Sequence, residues 1–411
     1  MSTFGLLTGG GVPETTRVQA QFRRVLLRSS SRGEVDPFIV MDVMEAARRE
    51  EVAGRSIIHM EVGQPGTAAP VAARERLVAE MGKDALGYTV ALGRIDLRER
   101  ISKLYSDWYG VDVPASRIVV TAGSSAAFTL AFTALFDQGE KVAIGEPGYP
   151  SYRNILKALS LEAVGIQTRA EDRFQPVLAD VAAIKDLAGL LVASPANPSG
   201  TMLDRDALKV LMDHCAARDI AFISDEIYHG IQYDGRAVSA LEVSDEVFVI
   251  NSFSKYFSMT GWRIGWMVVP QSHVRTVERL AQNMFICAPH AAQVAALGAM
   301  DGEAELTANY AVYAENRRLM LEQLPLMGFD QIAPPDGAFY VYADVSRHTD
   351  DSAAFCSEIL RDAGVSVTPG LDFDPVRGHQ TIRFSYARSN SDIREGLTRL
   401  AAFMAAKEAG R

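Results

Sequence analysis

The chain has 411 residues, 48% of them hydrophobic and 22% charged, a balance that excludes a disordered or fibrous protein. At about 100 to 200 residues per domain the length accommodates two or three domains. Forty-one Lys and Arg against 51 Asp and Glu leave a net charge of −10, which disfavours nonspecific binding to nucleic acid or anionic lipid, so any anion has to be held by a local cluster of donors.

Up to Arg32 the chain carries Arg17, Arg23, Arg24, Arg28 and Arg32, a serine run at Ser29 to Ser31, and one acid, Glu14. Residues 1–32 read as a disordered leader; an organellar transit peptide is the minor alternative, with no apolar core or cleavage site to support it. From Arg117 onward short apolar runs alternate with helical patterns. Residues 117–121 read as a strand, 125–136 as a helix, and 141–144 and 189–193 as strands. Over 204–218 an acidic start and apolar Leu208, Leu211, Met212 and Cys215 give the 3.6-residue period of an amphipathic helix. Residues 220–224, 247–251 and 264–269 are short, apolar and β-branched, as buried parallel strands are. This is an α/β pattern, a mostly parallel sheet flanked by helices.

Beyond Pro270 helices dominate to about Leu324. Residues 338–345 and 381–385 then alternate like strands of a half-exposed sheet, between helices at 352–363 and 391–406, which reads as a smaller α+β domain. The expected division is 33–65 as the N-terminal part of the small domain, 66–324 as the large domain and 325–411 as the C-terminal small domain. Cys215, Cys287 and Cys356 have no CxxC or CxxH neighbour, which fits a reducing compartment, the cytoplasm. His214, His229 and His290 lack metal-ligand spacing, so no metal is expected. No apolar run reaches the roughly 18 to 20 residues of a membrane span.

The most informative segment is Asn251-Ser252-Phe253-Ser254-Lys255-Tyr256-Phe257-Ser258-Met259-Thr260-Gly261-Trp262-Arg263-Ile264-Gly265. A lysine just beyond a buried strand is a candidate Schiff-base nucleophile. At every constrained position the segment resembles the pyridoxal phosphate attachment signature of class I aminotransferases of fold type I, and the resemblance runs from about Asp36 to Ala406. It implies a homodimer with shared active sites. It also implies transfer of the amino group of an L-amino acid to a 2-oxo acid by a ping-pong route through a Lys255 internal aldimine.

The same resemblance assigns the remaining positions. Asp225, ending a predicted strand, is similar to the carboxylate that keeps the pyridine nitrogen protonated; adjacent Glu226 should face the other way. Tyr228 resembles the phenol at the cofactor 3-oxygen, and Asn197 its amide partner. Gly123, Ser124 and Ser125 open a helix after a strand and resemble the phosphate cup, to which Ser252 would add a hydroxyl and Arg263 a guanidinium. Tyr149 resembles the residue stacked on the pyridine ring, and Tyr88 the one that reaches the partner subunit's phosphate. Arg383, a charge inside an apolar strand, would take the substrate α-carboxylate in bidentate fashion, with Asn197 beside it and the backbone of Gly63 closing over it. A C–S β-lyase or related amino-acid lyase of the same fold is the nearest rival, and a cofactor-bound DNA-binding regulator a more distant one. The donor amino acid and the 2-oxo acid stay open: aspartate, alanine, aromatic and branched donors are all compatible with Arg383.

Overall fold

The computed structural model describes residues 28–410. Of the leader expected over 1–32, residues 1–27 lie outside the described residues. Helix α1 (Ile39–Val52) and the two-residue strand β1 (Ile58–His59) come first, followed by α2 (Val71–Met81) and α3 (Ile95–Tyr109). The central part contributes β2 (Ile118–Thr121), α4 (Gly123–Leu135), β3 (Lys141–Glu146), α5 (Pro150–Ala158), β4 (Glu162–Gln167) and α6 (Leu178–Ala182). It continues with β5 (Leu187–Ala193), α7 (Arg205–Ala217), β6 (Ala221–Asp225), β7 (Phe248–Ser252), β8 (Gly265–Val268), α8 (Val274–Met284) and α9 (His290–Ala299). The chain closes with α10 (Glu303–Gln323), β9 (Tyr340–Asp344), α11 (Ser352–Ala363), β10 (Val365–Ser366), β11 (Thr368–Pro369), β12 (Thr381–Ser385) and α12 (Asn390–Ala409).

Seven strands form the large sheet in the order β2-β8-β7-β6-β5-β3-β4. Burial on both faces explains their apolar runs: β2, β7 and β8 are buried at every position. Strand β8 corrects the sequence reading, because it runs antiparallel to both β2 and β7. Its connection from β7, residues 253–264, holds no helix long enough to carry the chain back across the sheet, so it returns directly and pairs Ser252 with Gly265. Strand β4, at the sheet edge, was not expected at all. Asp204 caps α7 by accepting the Ala207 amide at 2.8 Å, as the acidic start of that segment suggested.

A second sheet, β11-β12-β9, is antiparallel, and the separate β1–β10 pair is parallel. The small sheet is not half-exposed as its alternation suggested. Ile382 and Phe384 pack in one core with Phe355 and Ile359 of α11, while Arg383 and Tyr340 on the other face close a cavity against the large sheet. The alternation thus separates a core face from a site face. Helix α1 and strand β1 pack beside β10, β11 and α12, joining the first and last described elements.

Candidate active site

A cavity of about 210 Å³ lies at the carboxyl ends of β5, β6 and β7, the usual ligand position on an open α/β sheet. It is lined by Gly63, Ser124, Ser125, Tyr149, Asn197, Asp225, Tyr228, Lys255, Arg263 and Arg383, ten of the residues singled out from sequence. The direct return from β7 to β8 puts Lys255 and Arg263 on one loop.

Lys255 Nζ donates to the Gly63 carbonyl at 2.5 Å and makes no ion pair among the described residues. Burial, then the nearby Arg383 charge, push its amine down to about 7, with Asp225 pulling the other way. A substantial fraction is therefore free base near neutrality, the form a nucleophile needs. Asp225 ends β6 and is 3% exposed. Its Oδ1 accepts the Ile227 amide at 3.0 Å and its Oδ2 the Tyr152 hydroxyl; burial pushes the carboxyl up to about 6 against those two donors. Glu226 faces away, accepting from Ser224, Ser239 and the Ala240 amide.

At the other end of the cavity α4 begins with Ala122 as N-cap and no side-chain cap. Its first amides are thus available to an anion. Gly123 adopts φ +76°, and a Cβ there would stand 2.5 Å from Arg263 Nη2, so only glycine lets the guanidinium lie against the helix start. Arg263 donates to the Thr260 carbonyl at 3.0 Å and, among the described residues, has no acidic partner. An unpaired cation at an uncapped helix start fits a phosphate. Ser252 Oγ donates to the Ile264 carbonyl at 3.0 Å and lies 2.7 Å from the hydroxyl of Ser254, which lines the cavity.

Arg383 is 3% exposed. Its Nη1 donates to Asn197 Oδ1 at 2.9 Å and its Nη2 to the Glu61 carbonyl, while the rings of Tyr340 and Phe373 lie 4.4 and 4.6 Å from its guanidinium carbon. Nε has no partner, a buried donor left for a ligand. Gly63 is obligatory here, since a Cβ would fall 1.7 Å from the Tyr340 hydroxyl. That hydroxyl is 2.7 Å from Tyr228 Oη. Tyr88 does not line the cavity and is 83% exposed.

Two groups of contributors escaped the sequence reading. Tyr152 follows Tyr149 by three residues, and the helix starting at Pro150 sets their rings 5.3 Å apart; that spacing was the available signal. Phe38, Val40 and Met41 at the start of α1 form an apolar wall, with Phe38 edge-on to Tyr149 at 5.8 Å. No local pattern ties that helix to the cavity. Among the described residues no cluster of His, Cys, Asp and Glu could hold a metal ion, and no helix is long and apolar enough to cross a membrane.

Residues 55–400 match the sequence profile described as aminotransferase class I and II. The chain is 45% identical to a valine–pyruvate aminotransferase of Mycobacterium tuberculosis over 92% of its own length and 98% of the relative's. A crystal structure of a candidate aminotransferase from Silicibacter pomeroyi superposes with a TM-score of 0.89 at 65% identity, covering 92% of this chain and all of that one. A crystal structure of an aminotransferase from Mycobacterium tuberculosis gives 0.90 at 44% identity, over 92% of this chain and 99% of that one.

Proposed function

The chain belongs to the class I and II aminotransferases and is a pyridoxal phosphate-dependent enzyme acting on amino acids and 2-oxo acids; from that premise we propose which of its residues do the work and which donors it accepts. The observation that carries the reading is the Lys255 amine, in no ion pair among the described residues, in one cavity with buried Asp225 and with Arg383, whose Nε is unsatisfied. When bound, the cofactor supplies an electron sink for the carbanion formed at the substrate α-carbon. Lys255 binds the cofactor aldehyde and, once released, moves the α-proton as its free base. Asp225, held by Tyr152, keeps the proton on the ring nitrogen. Tyr228 and Asn197 hold the 3-oxygen, Tyr149 covers the ring, and Gly123, Ser124, Ser125, Ser254 and Arg263 bind the phosphate, with Ser252 supporting Ser254. Arg383 takes the α-carboxylate through its fork, and Gly63 borders that carboxylate with its backbone.

The donor is a neutral, apolar amino acid. Lys255, Arg263 and Arg383 are the cations lining the cavity, and each already has a role, so this subunit offers no fourth for a side-chain carboxylate. The remaining wall of Phe38, Val40, Met41, Val62 and Ile227 suits hydrocarbon. The name of the Mycobacterium tuberculosis relative, valine–pyruvate aminotransferase, supports the same class. A homodimer completes the reading: Tyr88, Val90 and Ile95 are exposed on one segment, and Tyr88 would serve the partner subunit's phosphate. We read the enzyme as cytoplasmic, supported by its three free cysteines. We assign 33–65 and 325–411 to the small domain and 66–324 to the large one, supported by the separate sheets. The test is single-turnover conversion of the bound cofactor to its amine form with valine, alanine and aspartate. Valine and alanine should react; a clear preference for aspartate refutes the apolar assignment.

A further inference from the structure

Asp372 ends a short helical turn, Gly370–Asp372, and is 2% exposed. Its carboxylate reaches across the chain: Oδ1 accepts the Ile39 amide at 3.0 Å and Oδ2 the Val40 amide at 3.2 Å, 333 and 332 residues away. These are the first amides of α1, whose own N-cap, Phe38, supplies no side-chain cap. A distant carboxylate therefore satisfies two donors that a helix start leaves open and puts negative charge at its positive end. The turn it fixes is the wall of Phe38, Val40 and Met41. The next residue, Phe373, stacks on Arg383 with its ring and accepts the Gly148 amide at 3.0 Å with its carbonyl, next to Tyr149. One short turn thus touches the apolar wall, the carboxylate-binding arginine and the aromatic loop.

We propose that Asp372 is a positioning residue for substrate selection, holding the first turn of α1 where the amino-acid side chain is read. The inference rests on the function above, in which Arg383 takes the α-carboxylate and the side chain meets α1. On that reading a branched side chain is long enough to meet the wall, and the methyl group of alanine falls short of it. Loosening the wall therefore penalises valine and spares alanine. A methylene-sized contact in an apolar pocket is worth about ten- to two-hundredfold in discrimination. Asparagine at 372 keeps the size but offers one acceptor for two amides.

The experiment compares holoenzyme carrying Asp372→Asn with wild type in kcat/KM for valine and alanine, together with backbone hydrogen exchange over residues 38–42. The valine-to-alanine preference should fall about tenfold, mainly through the KM for valine, and the Ile39 and Val40 amides should exchange faster. Phe38→Ala, which leaves the carboxylate fork intact, should lower the same preference without speeding that exchange. Should Asp372→Asn fail to fold, Asp372→Glu keeps both acceptors, displaces the turn by one methylene, and must still change the preference. An unchanged preference, or equal losses for both substrates, overturns the inference while leaving the function standing. A wild type that uses neither valine nor alanine overturns the function and the inference together.

Discussion

Replacing Tyr152 by Phe deletes one hydroxyl and keeps the ring that packs on Phe128 and Tyr149, with centroids at 5.0 and 5.3 Å. The carboxylate of Asp225 then keeps only the Ile227 amide as donor. Burial already pushes Asp225 up to about 6 while Tyr152 holds it down. A hydrogen bond to a charged group is worth about 1.5 to 3 kcal/mol, and about 1.4 kcal/mol is a factor of ten, so the variant's carboxyl should hold its proton about ten- to a hundredfold more tightly. At pH 7 its ionised fraction should therefore fall about two- to tenfold. Binding of a cofactor analogue lacking the aldehyde reads this without involving Lys255. The ratio of Kd in the variant to Kd in wild type should be about tenfold or more at pH 5, about two- to tenfold at pH 7, and near about one at pH 9. Ligand titrations cancel in that ratio. A ratio constant across the range would refute the role given to Asp225 and its tyrosine.

Arg383→Lys keeps the charge but loses the fork, so KM for the amino acid and for the 2-oxo acid should both rise about ten- to a hundredfold with cofactor affinity unchanged; steady-state kinetics with both substrates checks this. Glu226, pushed up to about 8 by burial, is protonated in the folded protein well above its ordinary range, so its contribution to stability is full below about 4.5 and lost as pH rises through about 8. Thermal melts of Glu226→Gln, neutral at every pH, should therefore gain on wild type between pH 5 and 8, and a constant difference would contradict that sign. Co-expression of inactive Tyr88→Ala and inactive Lys255→Ala chains should restore partial activity in mixed dimers, each holding one intact site; inactivity in verified mixed dimers would remove Tyr88 from the partner's site.

The candidate site was legible in the sequence wherever it sits on contiguous chain. The Lys255 loop, Asp225 at the end of β6 and the start of α4 all come from strand ends, which buried apolar runs reveal. Strand β4 escaped because Glu162, Gly165 and Gln167 at the sheet edge break both the apolar run and the alternation. Strand β8 looked like its neighbours because burial carries no information about direction; the length of the connection does. The small sheet showed the limit of alternation, which separates two faces without saying that one of them meets solvent. The first turn of α1 and Asp372 acquire meaning only from each other's position, 332 residues apart for the Val40 bond, and no local periodicity encodes such a pair.

The pairing of β1 with β10 also bears on how the enzyme is made. Strand β1 has no partner until Val365 and Ser366 exist, and the Glu61 carbonyl waits 307 residues for the Thr368 hydroxyl. At about 5 to 20 residues per second, translation takes about 15 to 60 s to cover that distance. Throughout it Ile57, Ile58 and Met60, all buried in the finished protein, remain on the nascent chain without the surface they pack against. The seven-stranded sheet, contiguous from Ile118 to Val268, can form on the ribosome in the meantime. The small sheet and the β1–β10 pair are therefore completed last, and a polypeptide released early keeps β1 but leaves it without the strand it pairs with.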